Sequence, residues 1–466
     1  MNLKNIATRL TWRLADSSIP IIRGIGWDIL DFARRRRPSA DQNAAQPVPA
    51  RFAPSAVAEA VTAPAAVEAT VKDAVSPEDA SFHNQPFADP ERQRRERLLL
   101  ISPSLPRYDR TSSSLRISHI VDMLASYFKE TVFLYSIKTR DDLRYARRLP
   151  DNVRPKFVPL NAKYYMEELR RTRYDVLWMT DLFDSRYIEQ CVEMLGELRA
   201  LADRPLVITD TMDCHFQKSL RMAQTKQNPG SAPASEKLHS LESALYSSSD
   251  RLIVVTPNES KAIRQHFPSA PRITVLPNVH RLADHLPDFS STAGLVFVGS
   301  AGVNHNRDAV LAFHAHVLPI LKKQVPTVRL DVIGSSWEPF RDTLDDPAVT
   351  LKGWIGDLDD ALTRYRALIC PLLYGTGLKG KLGSAASLGV PIVTTSIGAE
   401  GFPVEDGAHC FIADSAEKFS EKTVQLLSDR RTWERFQRRF YGLMAERYSP
   451  RAVSIAVRKL MDSLHT

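Results

Sequence analysis

The chain has 466 residues, 43% hydrophobic content and a formal net charge of +8, enough to bury two full domains and extra segments. Its four cysteines, Cys191, Cys214, Cys370 and Cys410, lie far apart without metal-ligand spacing. That argues against a disulfide or zinc framework and for a reducing compartment. No apolar run approaches the ~20 residues needed to cross a bilayer, and the N-terminus lacks the unbroken apolar core of a signal peptide, so a cytoplasmic protein is expected.

The charge is concentrated at the start. Residues 1–37 carry Lys4, Arg9, Arg13, Arg23 and Arg34 to Arg37 against Asp16, Asp28 and Asp31. Leu3, Ile6, Leu10 and Leu14 share one helical face, and Ile22, Ile25, Ile29 and Phe32 another. With Trp12 and Trp27 at interfacial positions, this basic amphipathic arm is expected to lie on an anionic membrane surface or to pack on a protein. A nucleic-acid partner is not expected, because such a reader carries its charge on the folded domain. Residues 38–95 are rich in Ala, Pro, Val, Ser and Glu without period, the composition of a disordered linker.

Residues 96–277 alternate strand and helix patterns. The strands are predicted at Leu98–Ile101, Val132–Tyr135, Val176–Met179, Leu206–Thr209 and Leu252–Val255, with helices such as Leu115–Phe128 and Tyr187–Leu201 between them. The series restarts over residues 278–448 with strands at Leu295–Val298, Leu330–Ile333, Val349–Leu351, Ala367–Leu373 and Ile392–Thr394. Helices are predicted at Ala309–Leu321 and Ala416–Leu427. Residues 449–466 read as a C-terminal helix returning to the first domain. Two such alternations predict an α/β protein of two doubly wound, Rossmann-like domains facing across a cleft, with ligands beyond the carboxyl ends of the strands.

One loop at such an edge stands out. After the apolar run Ala367–Leu373 come Gly375, Thr376, Gly377, Lys379, Gly380 and Lys381, then a short helix pattern from Leu382 to Leu388. Glycines let backbone approach a ligand, a helix N-terminus offers N–H groups and a positive dipole, and two lysines add charge. The pattern points to a phosphate site; the competing reading is a tight connection with two solvated lysines.

The runs FVGSAGVNHNRDAVLAF (Phe297–Phe313), VIGS (Val332–Ser335), LKGWIGDL (Leu351–Leu358) and PLLYGTGLKGKLGSAASLGVPIVTTSIGAEG resemble, in order and spacing, the donor half of GT-B glycosyltransferases. They resemble in particular the retaining family 4, or group 1, enzymes of surface polysaccharide biosynthesis. Leu98–Ala125, Tyr174–Asp181 and Ile208–Ala223 resemble that group's acceptor-side domain. The similarity spans about Arg97 to Ser449. It implies transfer of a sugar from a nucleotide-diphosphate donor to a glycan or lipid-linked acceptor, with retention, no metal and no cofactor. With the basic arm of residues 1–37, a lipid-linked acceptor leads to the expectation of a peripheral position at the inner face of the membrane.

The resemblance assigns the donor diphosphate to the Gly375–Lys381 loop. It assigns the nucleotide base and ribose to Trp354, Ile355 and Ser384, with Trp354 otherwise a core residue. It assigns the catalytic surroundings of the sugar to Asp213, His215 and Glu400; for His215 and Glu400 the plain alternatives are a hydrogen-bonded structural histidine and a solvated turn residue. Ser113, Ser114 and Arg116, with Ser112, fall in the first β–α turn, where a serine ahead of Leu115 also reads as a helix cap. The wider family carries two glutamates eight positions apart around the phosphate loop; here those positions hold Thr376 and Ser384. The basic pair after the first donor-domain strand is likewise absent, with Ser300, Asn304 and Asn306 followed by Arg307. The alternative function is therefore a catalytically weak GT-B scaffold that binds nucleotide or partner proteins.

Overall fold

The structure is a computed structural model that describes residues 79–87, 94–182, 184–217 and 232–464. The basic arm, and the linker up to residue 78, lie outside the described residues.

The first sheet has seven parallel strands, β1 (Arg95–Ile101), β2 (Phe128–Tyr135), β3 (Val153–Phe157), β4 (Val176–Met179), β5 (Leu206–Asp210), β6 (Arg251–Val254) and β7 (Arg272–Val275). Their order is β3-β2-β1-β4-β5-β6-β7. The second has six, β8 (Leu295–Val298), β9 (Leu330–Ile333), β10 (Val349–Gly353), β11 (Ala367–Cys370), β12 (Ile392–Thr394) and β13 (Phe411–Ile412), in the order β10-β9-β8-β11-β12-β13. Central strands such as β4 and β11 are buried at every residue, as continuous apolar runs between two helical layers require. Both orders reverse beside the first strand of the series, which places the switch points at the carboxyl ends of β1 and β4 in one sheet and of β8 and β11 in the other.

The strands that the sequence hides are edge strands. β3 reads VRPKF and β7 RITV, polar and part-exposed because one side of each meets solvent. β13 spans only two residues. The cores follow the two sheets. One gathers apolar residues from 282 to 448, and a second and third fill the two faces of the first sheet. The last helix, Pro450–Asp462, buries Val453, Val457, Leu460 and Met461 in the core that holds Leu98 and Leu100 of β1 and Ile120 of the helix Ser112–Ala125. The chain thus crosses back to its first domain.

The disordered-linker expectation is corrected at its end. Residues 79–87 are seated, with a short helix at Ala80–Asn84. The Asn84 side chain makes two bonds with the Leu282 backbone, Nδ2 donating to its O and Oδ1 accepting from its N at 2.7 Å. Phe87 N donates to Ser454 Oγ, and the Arg451 guanidinium lies 3.9 Å above the Phe82 ring. Ala80 is fully buried in the second domain's core. The burial of Ala80 and the paired hydrogen bonds of Asn84 seat this piece, and the Ala- and Pro-rich composition marks neither.

Candidate active site

The glycine- and lysine-rich loop expected to take the diphosphate follows the carboxyl end of β11. Its helix runs Gly380–Ser387 and so begins two residues earlier than the apolar pattern suggests. Lys379 is the N-cap and its side chain makes no capping hydrogen bond, and the positive end of the helix dipole lies at this loop. Gly377 has φ +69°, a left-handed conformation that favours glycine.

Both loop lysines are engaged. Lys379 is 7% exposed, and its Nζ donates to the carbonyls of Thr376 at 3.1 Å and Gly377 at 2.7 Å. Lys381 bonds Asn306 Oδ1 and lies 4.4 Å over the Phe297 ring; burial lowers its pKa to about 8. The solvated-lysine reading is therefore corrected. Asn306 is fixed in turn by donating to Ser300 O, beside Gly299 and Gly334 at the ends of β8 and β9. Tyr374, just before the loop, donates to Asp308 at 2.7 Å, and Arg307 pairs with that same carboxylate.

The first domain meets this loop at several points. A Cβ on Gly380 would lie 2.5 Å from Ser112 Cβ, so the helix tip abuts the first β–α turn of the opposite domain. A Cβ on Gly383 would fall on the His280 ring. Burial drives His280 down to about 3, with His119 nearby adding to the effect, so a neutral imidazole lies under the helix. The His280 backbone N donates to Tyr448 O, which ties the interdomain crossing to the last helices. A Cβ on Gly401 would touch Thr256, and the preceding Glu400 closes the four-residue helix Ser396–Ala399 beside the loop.

Asp213 arrives from the turn after β5, where Met212 has φ +57°. Its Oδ1 occupies the space that a Cβ on Gly377 would need. His215 follows two residues later, where the chain turns helical. Its backbone N and that of Phe216 donate to Glu242 at 3.1 Å and 2.9 Å, and Tyr246 OH adds a third bond. Burial pushes Glu242 up to about 7 despite these donors. Glu242 thus anchors the turn that presents Asp213, a role the sequence did not mark.

Glu259 was also missed. It lies in the first turn of the helix Pro257–His266 and forms a capping box with Thr256, a signature readable in the sequence as T-x-x-E. Glu259 Oε2 accepts from the backbone N of Val255 and Thr256, while Oε1, without a hydrogen-bond partner among the described residues, lies 3.6 Å from the Cβ position of Gly377. Burial first, and Asp213 second, raise Glu259 to about 8. Asp181 at the end of β4 is likewise pushed up to about 6 by burial, with Asp210 and Asp213 adding to it and Arg107 opposing.

Other expected residues are placed differently. Arg116 is corrected: it is fully buried, pairs with Asp210 at 2.7 Å and donates to Leu276 O at 2.9 Å, so it braces the first domain instead of facing the cleft. The cap of its helix is Thr111, which accepts from Ser114 N, and not a serine ahead of Leu115. Ser113 bonds Thr111, Ser114 is buried, and Ser112 is the residue against Gly380. Trp354 is 48% exposed, which removes the core reading, and the Arg110 guanidinium from the first domain stacks 4.5 Å from its ring centroid. Ile355 packs part-buried on the second domain's core, while Ser384 lies on the Gly380–Ser387 helix. Among the described residues there is no group of three or more His, Cys, Asp or Glu that could hold a metal ion, and no helix long and apolar enough to cross a membrane.

Residues 292–429 match a family model described as glycosyl transferases group 1. Sequence comparison finds no curated protein at a significant level. Solved structures align over most of the chain. Sucrose-phosphate synthase from Thermosynechococcus elongatus is 13% identical with a TM-score of 0.60, covering 80% of this chain and 99% of its own. WaaG, described as a glycosyltransferase involved in lipopolysaccharide biosynthesis, is 12% identical with a TM-score of 0.58, covering 78% and 99%. Anabaena HepE in complex with UDP-glucose is 11% identical with a TM-score of 0.56, covering 79% and 99%. These likenesses show that the fold is GT-B.

Proposed function

We propose that this chain, a GT-B protein with a group 1 glycosyltransferase domain at residues 292–429, is a retaining, metal-independent glycosyltransferase. It takes a nucleotide-diphosphate sugar and delivers the sugar to a glycan or lipid-linked acceptor in surface polysaccharide biosynthesis. The observation that carries the reading is the helix Gly380–Ser387, with no side-chain cap, lysines at positions 379 and 381, and its tip against the opposite domain. A diphosphate there receives backbone N–H groups, the helix dipole and Lys379.

The chemistry follows from charge. As the bond from the anomeric carbon to the phosphate oxygen breaks, the sugar becomes cationic and the diphosphate gains negative charge where the loop is positive. The acceptor hydroxyl attacks from the face the phosphate leaves. The phosphate oxygen takes the hydroxyl's proton, so the configuration is retained and no protein base is used. Asp213 and His215 border the sugar side. The work is cytoplasmic, with the basic arm of residues 1–37 holding the enzyme at the inner membrane surface.

The second reading, a nucleotide-binding scaffold with weak catalysis, is favoured by Thr376 and Ser384 standing where the wider family has carboxylates. Calorimetric titration with UDP, GDP and ADP, followed by their sugars, tests the site. Binding of one diphosphate that weakens in Lys379→Met supports it; no binding of any of the three removes it.

A further inference from the structure

The phosphate loop is bordered on its first-domain side by two carboxyl groups, Asp213 after β5 and Glu259 after β6, and Asp181 after β4 lies close enough to Asp213 to feel its charge. Asp213 and Glu259 flank the same face of Gly377, two residues ahead of Lys379. The site is thus polarised along the chain, with cations and a helix N-terminus at one end and acids at the other. Two buried polar atoms at the loop have no hydrogen-bond partner among the described residues, Glu259 Oε1 and Thr376 Oγ1. Glu259 itself is only 2% exposed. Buried polar atoms left without partners are costly, and a hydroxyl-rich ligand can serve both acceptors and donors at once.

We propose that Asp213 and Glu259 form the sugar-reading end of the donor site, and that they restrict the donor to an uncharged, hydroxyl-bearing sugar while rejecting a uronic acid. This rests on the nucleotide-sugar reading above and specifies its substrate class. A sugar hydroxyl donates to Asp213, and the protonated Glu259 carboxyl donates or accepts through Oε1. A sugar carboxylate brought to the same place adds an anion to a water-poor cluster of carboxyls, which is a repulsive element aimed at the wrong substrate. The raised pKa values of Glu259 and Asp181 agree with an environment that already resists negative charge. Arg116 does not relieve it, because its charge is committed to Asp210.

The test uses the full chain and the variants Asp213→Asn, Glu259→Gln and the double change. Glutamine keeps an acceptor for the Thr256 cap, and thermal unfolding verifies that each protein is folded. Affinities are measured at pH 7 for UDP, UDP-glucose and UDP-glucuronate, and for GDP, GDP-mannose and GDP-mannuronate. The wild type is expected to favour the neutral sugar over the uronate by about tenfold or more in the nucleotide series it binds. The double variant is expected to lose most of that preference while its affinity for the bare diphosphate stays within about twofold. Equal binding of neutral and acidic sugars by the wild type overturns the proposal. So does an unchanged preference in the folded double variant, which leaves Glu259 as a helix cap alone. Failure of the wild type to bind either diphosphate would instead remove the underlying functional reading, and the proposal with it.

Discussion

Lys379→Met removes one charge and keeps most of the buried stem. In the structure the ammonium donates at 3.1 Å and 2.7 Å to the carbonyls of Thr376 and Gly377. The same charge therefore shapes the loop and stands beside the helix N-terminus that would hold the diphosphate. A hydrogen bond involving a charged group is worth about 1.5–3 kcal/mol, and each ~1.4 kcal/mol changes a rate tenfold. Loss of one such contact in the transition state lowers kcat/KM on the order of 10- to 100-fold. The two carbonyls sit at a loop, outside the sheets, so the melting temperature should fall by no more than about 5 °C. Steady-state kinetics of nucleoside diphosphate release, with unfolding followed by circular dichroism, measures both. A kcat/KM within about twofold of wild type in a folded Lys379→Met protein would refute the assignment. A change in KM alone would show that the lysine binds donor without favouring its transition state.

Asp213→Asn is expected to lower kcat more than it raises the dissociation constant of the bare diphosphate, because its carboxyl lies against Gly377, which the proposal assigns to the sugar end of the site; equal loss in both would place it on the phosphates instead. Glu259 gives a pH dependence of stability. Its folded pKa, about 8, exceeds the ordinary 4.5, so its contribution is complete at acid pH and is lost as pH rises through 8. The slope is at most about 1.4 kcal/mol per pH unit for one group, and urea unfolding of Glu259→Gln should decline less between pH 6 and 8.5 than that of wild type. For the basic arm, flotation with anionic vesicles should recover the full chain and not residues 91–466; equal recovery of the two would remove the membrane role.

Much of this fold is legible in the sequence because a buried parallel strand is an apolar run with sharp ends. β4, β8, β9 and β12 coincide with their predicted spans. β3 and β7 escaped for the same reason in reverse, since edge position lets them carry Arg, Lys and Pro. The position of the Gly375–Lys381 loop and its helix was readable because glycine and lysine spacing is local. The facing wall was not, because it is assembled from turns after β4, β5 and β6 that only the fold brings together. Glu259 shows the limit well. Its T-x-x-E signature announces a helix start, and nothing local says that its second oxygen faces Gly377 of the other domain. Arg116 shows the opposite case: a basic residue in a functional-looking turn is consumed by Asp210 beneath the surface.

The central claim is sugar transfer from a nucleotide donor, and donor turnover tests it most directly. Full-length protein is incubated with UDP-, GDP- and ADP-sugars in the presence of membrane lipid and glycan acceptors, and release of the nucleoside diphosphate is followed alongside Lys379→Met. Release from one nucleotide series, with the sugar recovered on an acceptor in its original anomeric configuration and suppressed in the variant, is the expected result. Tight binding of a nucleotide diphosphate with no turnover of any of its sugars would contradict the claim and leave the scaffold reading in its place.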